Sequence, residues 1–130
     1  MTHSLRTVLL IATALLMTFG AAAYALVVVP DLHGDLLEIG VRPSVLGGTV
    51  LHLYFAGIAM FGFALIVFAA AVQTIRGGVP ARIPLAIITI IYTSFGIFAF
   101  SRSHNPHHLG PLAMGVLLGT ALAIPVRREP

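Results

Sequence analysis

The sequence contains no cysteine, no tryptophan and no lysine, and only 8% of its 130 residues are charged. Without cysteine the chain has no disulfide framework, no thiolate metal site and no thiol nucleophile. Average globular domains carry roughly a quarter charged residues, and a surface this poor in charge does not keep a soluble domain dispersed in water. The shortage of charge therefore excludes a soluble enzyme and a disordered tail.

The few charges that are present do not form a surface for nucleic acid. Seven arginines outnumber four acidic residues, which raises the sequence pI to about 10.2. A surface that binds a phosphate backbone needs clustered positive charge, whereas these arginines are scattered along the chain. We expect no nucleic-acid partner.

The sequence contains long apolar runs: 58% of its residues are hydrophobic, and its mean hydropathy is +1.04. Four runs without Asp, Glu, Lys or Arg lie near the ~20 residues that a helix needs to cross hydrocarbon. They lack period-2 alternation, so helices rather than barrel strands satisfy their backbone in lipid. The sequence predicts an all-α fold, with one integral membrane domain of four antiparallel helices at about 7–29, 48–74, 83–100 and 108–124.

The start of the first run also has features of a secretory signal. Arg6 precedes the apolar residues, and Ala23–Ala25 has the small-x-small form of a cleavage site. The hydrophobic run nevertheless continues to Val29, which makes it long enough to span a membrane. We expect a retained first helix.

The arginines predict the orientation of the four helices. Arg42 and Arg102 fall on one side of a four-span chain, and five others fall on the opposite side: Arg6, Arg76, Arg82, Arg127 and Arg128. Loops rich in arginine stay in the cytoplasm. Both termini are therefore expected in the cytoplasm, with the chain in a bacterial-type inner membrane.

Small residues recur at a spacing of four in the fourth run, at Gly115, Gly119 and Ala123, and the second run carries Gly57 and Ala64. Small side chains let helix backbones approach closely in lipid. The pattern favours helix contacts within one copy of the chain over a seam between two copies. A homo-oligomer or a larger membrane complex stays an open alternative.

The two outer loops of the four-span chain hold most of its polar residues. In the loop at 30–47, Asp31, Asp35 and Glu38 share one face of a possible short interfacial helix, with Arg42 four residues after Glu38. In the loop before the fourth run, the pair Asn105–Pro106 is typical of a helix N-cap followed by the first helical residue.

Five of the six histidines fall at the outer membrane level in this topology: His33, His52, His104, His107 and His108. His3 is expected on the cytoplasmic side. A histidine within an apolar span is costly to bury and tends to face the bundle or a cavity, which singles out His52. The alternative for His52 is a hydrogen bond between helices, to Tyr24, Tyr92 or Ser94.

Three chemistries could use such a group of imidazoles and carboxylates. A divalent metal could bind His52, His104, His107 and His108, or two opposed imidazoles could ligate haem iron. An imidazole with a carboxylate could act as general base and general acid, since imidazole titrates near neutral pH. The residues expected to carry the chemistry are His52, His108, Asp35 and Glu38.

The leading functional hypothesis is a membrane-embedded enzyme that isomerises, cyclises or hydrolyses a lipophilic substrate in an outward-facing pocket. The first alternative is a non-catalytic membrane subunit or assembly factor that binds haem or quinone. The second is a small transporter component, which ranks last because the spans carry no charge to couple ion movement.

Overall fold

The computed structural model describes residues 2–125, with side chains from residue 4 onward. The described chain is helical and contains no strand, which confirms the all-α prediction. Its elements are α1 (Thr2–Ala23), a π-helical turn (Tyr24–Val28), α2 (Val29–Glu38), α3 (Pro43–Ile75), α4 (Arg82–Ser103), a 3-10 turn (Pro106–His108) and α5 (Leu109–Ala123). Arg127, Arg128 and the side chain of His3 lie outside the described residues.

Three helices are long and apolar enough to cross a membrane, which indicates a membrane protein. They are Ser4–Glu38, Pro43–Ile75 and Arg82–Ser103. Helix α5 has 15 residues, which span only about 22 Å of a hydrocarbon layer that is about 30 Å thick. The prediction of membrane helices is thus confirmed for three segments, while a fourth crossing and the cytoplasmic termini stay predictions.

The first membrane helix runs further than the sequence pattern indicates, because α1, the π-helical turn and α2 are continuous. The N–H of Val29 donates to the carbonyl of Tyr24, five residues earlier. Pro30 follows directly, and its ring, which lacks an N–H, crowds the preceding helical turn. A wider π turn accommodates that crowding. The short helix expected within 30–47 exists as α2, but as an extension of the membrane helix.

A turn at Gly40 ends α2 and reverses the chain into α3. Gly40 has a φ of 74°, in the left-handed region that glycine adopts without steric cost. Its N–H donates to the carbonyl of Leu37, and the N–H of Val41 donates to that of Leu36. These bonds satisfy carbonyls that the helix end would otherwise leave free.

The helices form a bundle in which α1 packs against α3 and α5, and α4 packs chiefly against α5. Helices α3 and α4 touch only sparsely. Side chains from all four of these helices fill one core, whose largest members include Leu10, Met17, Val67, Ile88 and Leu118. The bundle therefore has two close helix pairs, α1 with α3 and α4 with α5, joined through α1 and α5.

Glycines set the closest helix approach, which lies between α4 and α5. A Cβ on Gly96 would lie 2.6 Å from the backbone nitrogen of Leu112, and one on Gly115 would lie 2.7 Å from that of Thr93. Gly57 similarly lies against Tyr24 on the first helix. The prediction that small residues make contacts within one copy of the chain is confirmed at Gly57 and Gly115.

The two ends of the bundle differ in composition and in shape. At one end, the arginine end, α3 stops and α4 starts, and Arg82 Nη2 donates to the carbonyl of Leu122 over 3.2 Å. At the other, the loop end, the 33 residues of α3 extend about 50 Å, whereas the 22 residues of α4 extend about 33 Å. The first two membrane helices therefore project past α4 and α5 at the loop end.

Candidate functional site

His52 lies exposed on α3 and forms a hydrogen bond within its own helix. Its Nδ1 is 2.6 Å from the carbonyl oxygen of Gly48. A carbonyl oxygen only accepts, so Nδ1 carries the proton and donates it. In a neutral imidazole the other nitrogen, Nε2, then keeps its lone pair. The side chain thus presents a proton acceptor at the surface of α3, and the alternative of a bond to Tyr24, Tyr92 or Ser94 is not the one that forms.

The face of α3 that carries His52 is the face that meets α4. Phe63 of α3 contacts Tyr92 of α4 edge-on, with ring centroids 6.3 Å apart. His52 precedes Phe63 by eleven residues, which is three helical turns and leaves the two about 20° apart around the axis. His52 therefore lies about 16 Å beyond the Phe63–Tyr92 contact, toward the loop end.

His104 lies at nearly the same level, on the neighbouring helix. It follows the last residue of α4 and is twelve residues beyond Tyr92, a rise of about 18 Å. Its φ of 50° is left-handed, and its N–H caps α4 by donating to the carbonyl of Phe100 over 2.8 Å. The imidazole packs edge-on against the Phe100 ring, with centroids 6.2 Å apart. Two imidazoles thus occur at a similar depth, one just after the end of α4 and the other nine residues inside α3.

The loop before α5 is built as the Asn-Pro pair predicts. Asn105 Oδ1 accepts a hydrogen bond from the N–H of His107 over 3.0 Å, and Pro106 occupies the first position of the 3-10 turn. His107 is exposed and His108 is half-buried. Helix α5, which follows His108, does not contact α3 among the described residues. His108 therefore lies across the bundle from His52, and His104 is the nearer candidate partner.

The carboxylates lie on a different side of the bundle from His52. Asp31, Asp35 and Glu38 are all exposed on α2. The first membrane helix meets α3 at Gly57, which is five residues from His52 and so about 140° around the α3 axis. The geometry brings the predicted acids and the predicted base to the same end of the bundle without bringing them to one site.

The imidazoles and carboxylates also do not form a ligand set. No group of three or more His, Asp or Glu side chains in the described part of the chain is arranged to hold a metal ion. Half-buried His33 on α2 adds no third ligand. This geometry does not favour a divalent metal held by His52, His104, His107 and His108, which stays a prediction, as does haem ligated by two opposed imidazoles.

Two buried polar side chains have atoms without a hydrogen-bond partner among the described residues, and the burial of one of them, Arg6, was not anticipated from the sequence. Arg6 is only 3% exposed, and its Nε and Nη2 have no hydrogen-bond partner among the described residues. The hydroxyl of Tyr92 is likewise buried without such a partner. Arg6 resembles an ordinary arginine at a membrane boundary, so no sequence signal marked its burial.

Comparison of the chain with protein-family models, with curated proteins and with solved structures finds no match.

Proposed function

We propose that the chain is a membrane-embedded acid–base catalyst of the bacterial-type inner membrane, with both termini in the cytoplasm, and that it isomerises a lipophilic substrate. His52 is the proposed base. The observation that supports this role is the bond from its Nδ1 to the Gly48 carbonyl, which in a neutral imidazole leaves the lone pair of Nε2 available. Three helices are long and apolar enough to embed the chain in a membrane, where a lipophilic substrate dissolves.

The proposed step is a proton transfer that needs no cofactor. Nε2 of His52 removes a proton from an activated C–H next to a double bond of the substrate, and the electron pair shifts along the substrate. The imidazolium of His52 then returns a proton to a different carbon. Where a protonated His104 supplies that proton instead, the proton on His52 passes to His104 through water, which restores both imidazoles. Atoms, electrons and charge balance over the cycle, because one proton leaves the substrate and one enters it.

His104 is the second imidazole that the placement favours, because it ends the helix next to α3 at the depth of His52. His108 stands second, since it begins a helix across the bundle. Asp35 and Glu38 remain candidates for orienting the substrate rather than for a contact with His52, because they lie on another side of α3.

Proton exchange gives an experiment that does not require the substrate to be known. Purified protein is incubated in D₂O with a total lipid extract of its host, and deuterium incorporation into the lipids is measured by mass spectrometry. We expect the wild-type chain to label one class of lipophilic compound and His52→Gln to label none. His33→Gln is the matched control, which loses an imidazole at the same end and keeps the labelling.

Two results would contradict the proposal. Labelling by His52→Gln at the wild-type rate would show that another group exchanges the proton. A wild-type chain that labels nothing above buffer would favour the non-catalytic subunit instead. The tautomer has its own readout, since ¹⁵N NMR should show His52 protonated at Nδ1 and unprotonated at Nε2.

A further inference from the structure

The arginine end of the bundle contains a buried charge whose donors are not fully used. Arg6 lies near the start of α1, where the helix packs against α3 and α5, and 97% of its surface is covered. Its Nε and Nη2 are buried without a hydrogen-bond partner among the described residues. A buried guanidinium is costly unless it is paired and hydrogen-bonded, so this position is suited to an anion.

A second arginine adds to the same positive field. Arg82, the first residue of α4, lies close enough to Arg6 for the two charges to repel each other. Arg82 is exposed, and its Nη2 donates to the carbonyl of Leu122 at the end of α5. One guanidinium is thus enclosed between helices and the other stands at the surface beside it.

No acidic residue of the described chain lies at the arginine end to neutralise these two charges. Asp31, Asp35 and Glu38 all lie on α2, at the loop end of the bundle. The remaining acid of the sequence, Glu129, lies outside the described residues. Two close positive charges without a carboxylate among the described residues are the arrangement that an external anion stabilises.

We propose that Arg6 and Arg82 together bind a phosphate group, supplied by an anionic phospholipid headgroup or by free inorganic phosphate. Guanidinium groups bind phosphate oxygens through two parallel N–H donors, and Nε and Nη2 of Arg6 are two such donors without a partner among the described residues. Basic sites between membrane helices on the cytoplasmic side bind the headgroups of anionic lipids. The predicted orientation puts the arginine end on that side.

The test measures lipid binding to the full chain in detergent by native mass spectrometry. Phosphatidylglycerol is titrated against the wild type, Arg6→Gln, Arg82→Gln and Arg76→Gln. Arg76 is exposed at the same end, so its variant removes the same charge without touching the site. We expect the first two variants to bind at least about ten-fold more weakly, and Arg76→Gln to stay within about two-fold of the wild type.

Competition with inorganic phosphate identifies the source of the phosphate group. Displacement of phosphatidylglycerol by millimolar phosphate supports a site that free phosphate also fills. Arginine-dependent lipid binding that phosphate does not displace supports the lipid headgroup as the source. Equal binding of zwitterionic phosphatidylcholine, or wild-type lipid binding by both Arg6→Gln and Arg82→Gln, would overturn the proposal. Binding that appears only in Glu129→Gln would also overturn it, because Glu129 would then occupy the site.

A thermal measurement keeps the proposal testable if Arg6→Gln folds poorly. Arg6→Met replaces the buried cation with an apolar side chain of similar length and should fold without an anion. We expect phosphatidylglycerol to raise the melting temperature of the wild type and to leave that of Arg6→Met unchanged. An equal rise in both proteins would show that lipid stabilises the chain elsewhere.

Discussion

The ring of Phe63 meets the ring of Tyr92 edge-on, at an angle of 73° between planes and 6.3 Å between centroids. This contact joins α3 to α4, which otherwise touch sparsely. It also fixes how the two helices are aligned along their axes. The similar depths of His52 and His104 follow from that alignment. Loss of this contact should therefore separate α3 from α4 more than the loss of an apolar side chain elsewhere on α3 does.

Replacing Phe63 with alanine tests that role. We expect the free energy of unfolding to fall by about 2 kcal/mol, since the substitution removes a half-buried ring and an edge-on aromatic pair. The measurement is reversible unfolding in mixed micelles. Phe68→Ala is the control on the same helix, because that ring is 52% exposed. Equal losses in the two variants would show that the aromatic contact contributes nothing of its own.

Tyr92→Phe tests the buried hydroxyl. The group has no hydrogen-bond partner in the described part of the chain, so its burial costs free energy that the variant recovers. We expect the free energy of unfolding to rise by about 1 kcal/mol, whereas Tyr54→Phe, on an exposed side chain, leaves it unchanged. A decrease in the Tyr92 variant would mean that the hydroxyl is bonded in the folded protein.

Gly115→Ala and Gly96→Ala test the close approach of α4 and α5. An added Cβ meets backbone atoms of the facing helix in both cases, so the helices must separate, at a cost of about 3 kcal/mol. Gly62→Ala is the control, because a Cβ there meets nothing within 4 Å and alanine favours the helix by up to about 1 kcal/mol. Wild-type stability of both test variants would contradict the packing.

Single cysteines test the orientation, and the absence of native cysteine makes every label specific. In intact cells an impermeant maleimide should label Ser44→Cys and Ser103→Cys, and should label Val79→Cys only after permeabilisation. Pro125→Cys decides whether α5 crosses the membrane. Labelling of Pro125→Cys from outside would leave the chain with three spans and would contradict the bond from Arg82 to the Leu122 carbonyl.

The membrane helices were predictable from the sequence because apolar length alone determines them. The pattern at 48–74 and 83–100 corresponds to α3 and α4, with ends that move by a few residues. The continuation of the first helix through Pro30 was not predictable. A proline normally ends a helical pattern, and in this chain a π-helical turn directly precedes Pro30 and the helix continues.

The sequence predicted at which end of the bundle the candidate site lies, but not which side chains contact one another there. Topology brings the histidine-rich loop and the start of α3 to the same end. Which side of a helix faces a neighbour depends on which helices pack together. The sparse contact between α3 and α4 arises from that tertiary packing, so the sequence pattern does not predict it. The hydrogen bond from His52 to Gly48 follows from a local rotamer, which no residue pattern specifies.

The unequal lengths of the helices also affect the lipids around the bundle. Beside α3 the acyl chains meet an apolar surface longer than a relaxed bilayer, and beside α5 they meet a shorter one. The annulus of lipid must stretch on one flank and compress on the other, at a cost for every ångström of mismatch. With the crossing of α5 that the sequence predicts, the bilayer is therefore thinned on the flank of α5 and thickened on the flank of α3.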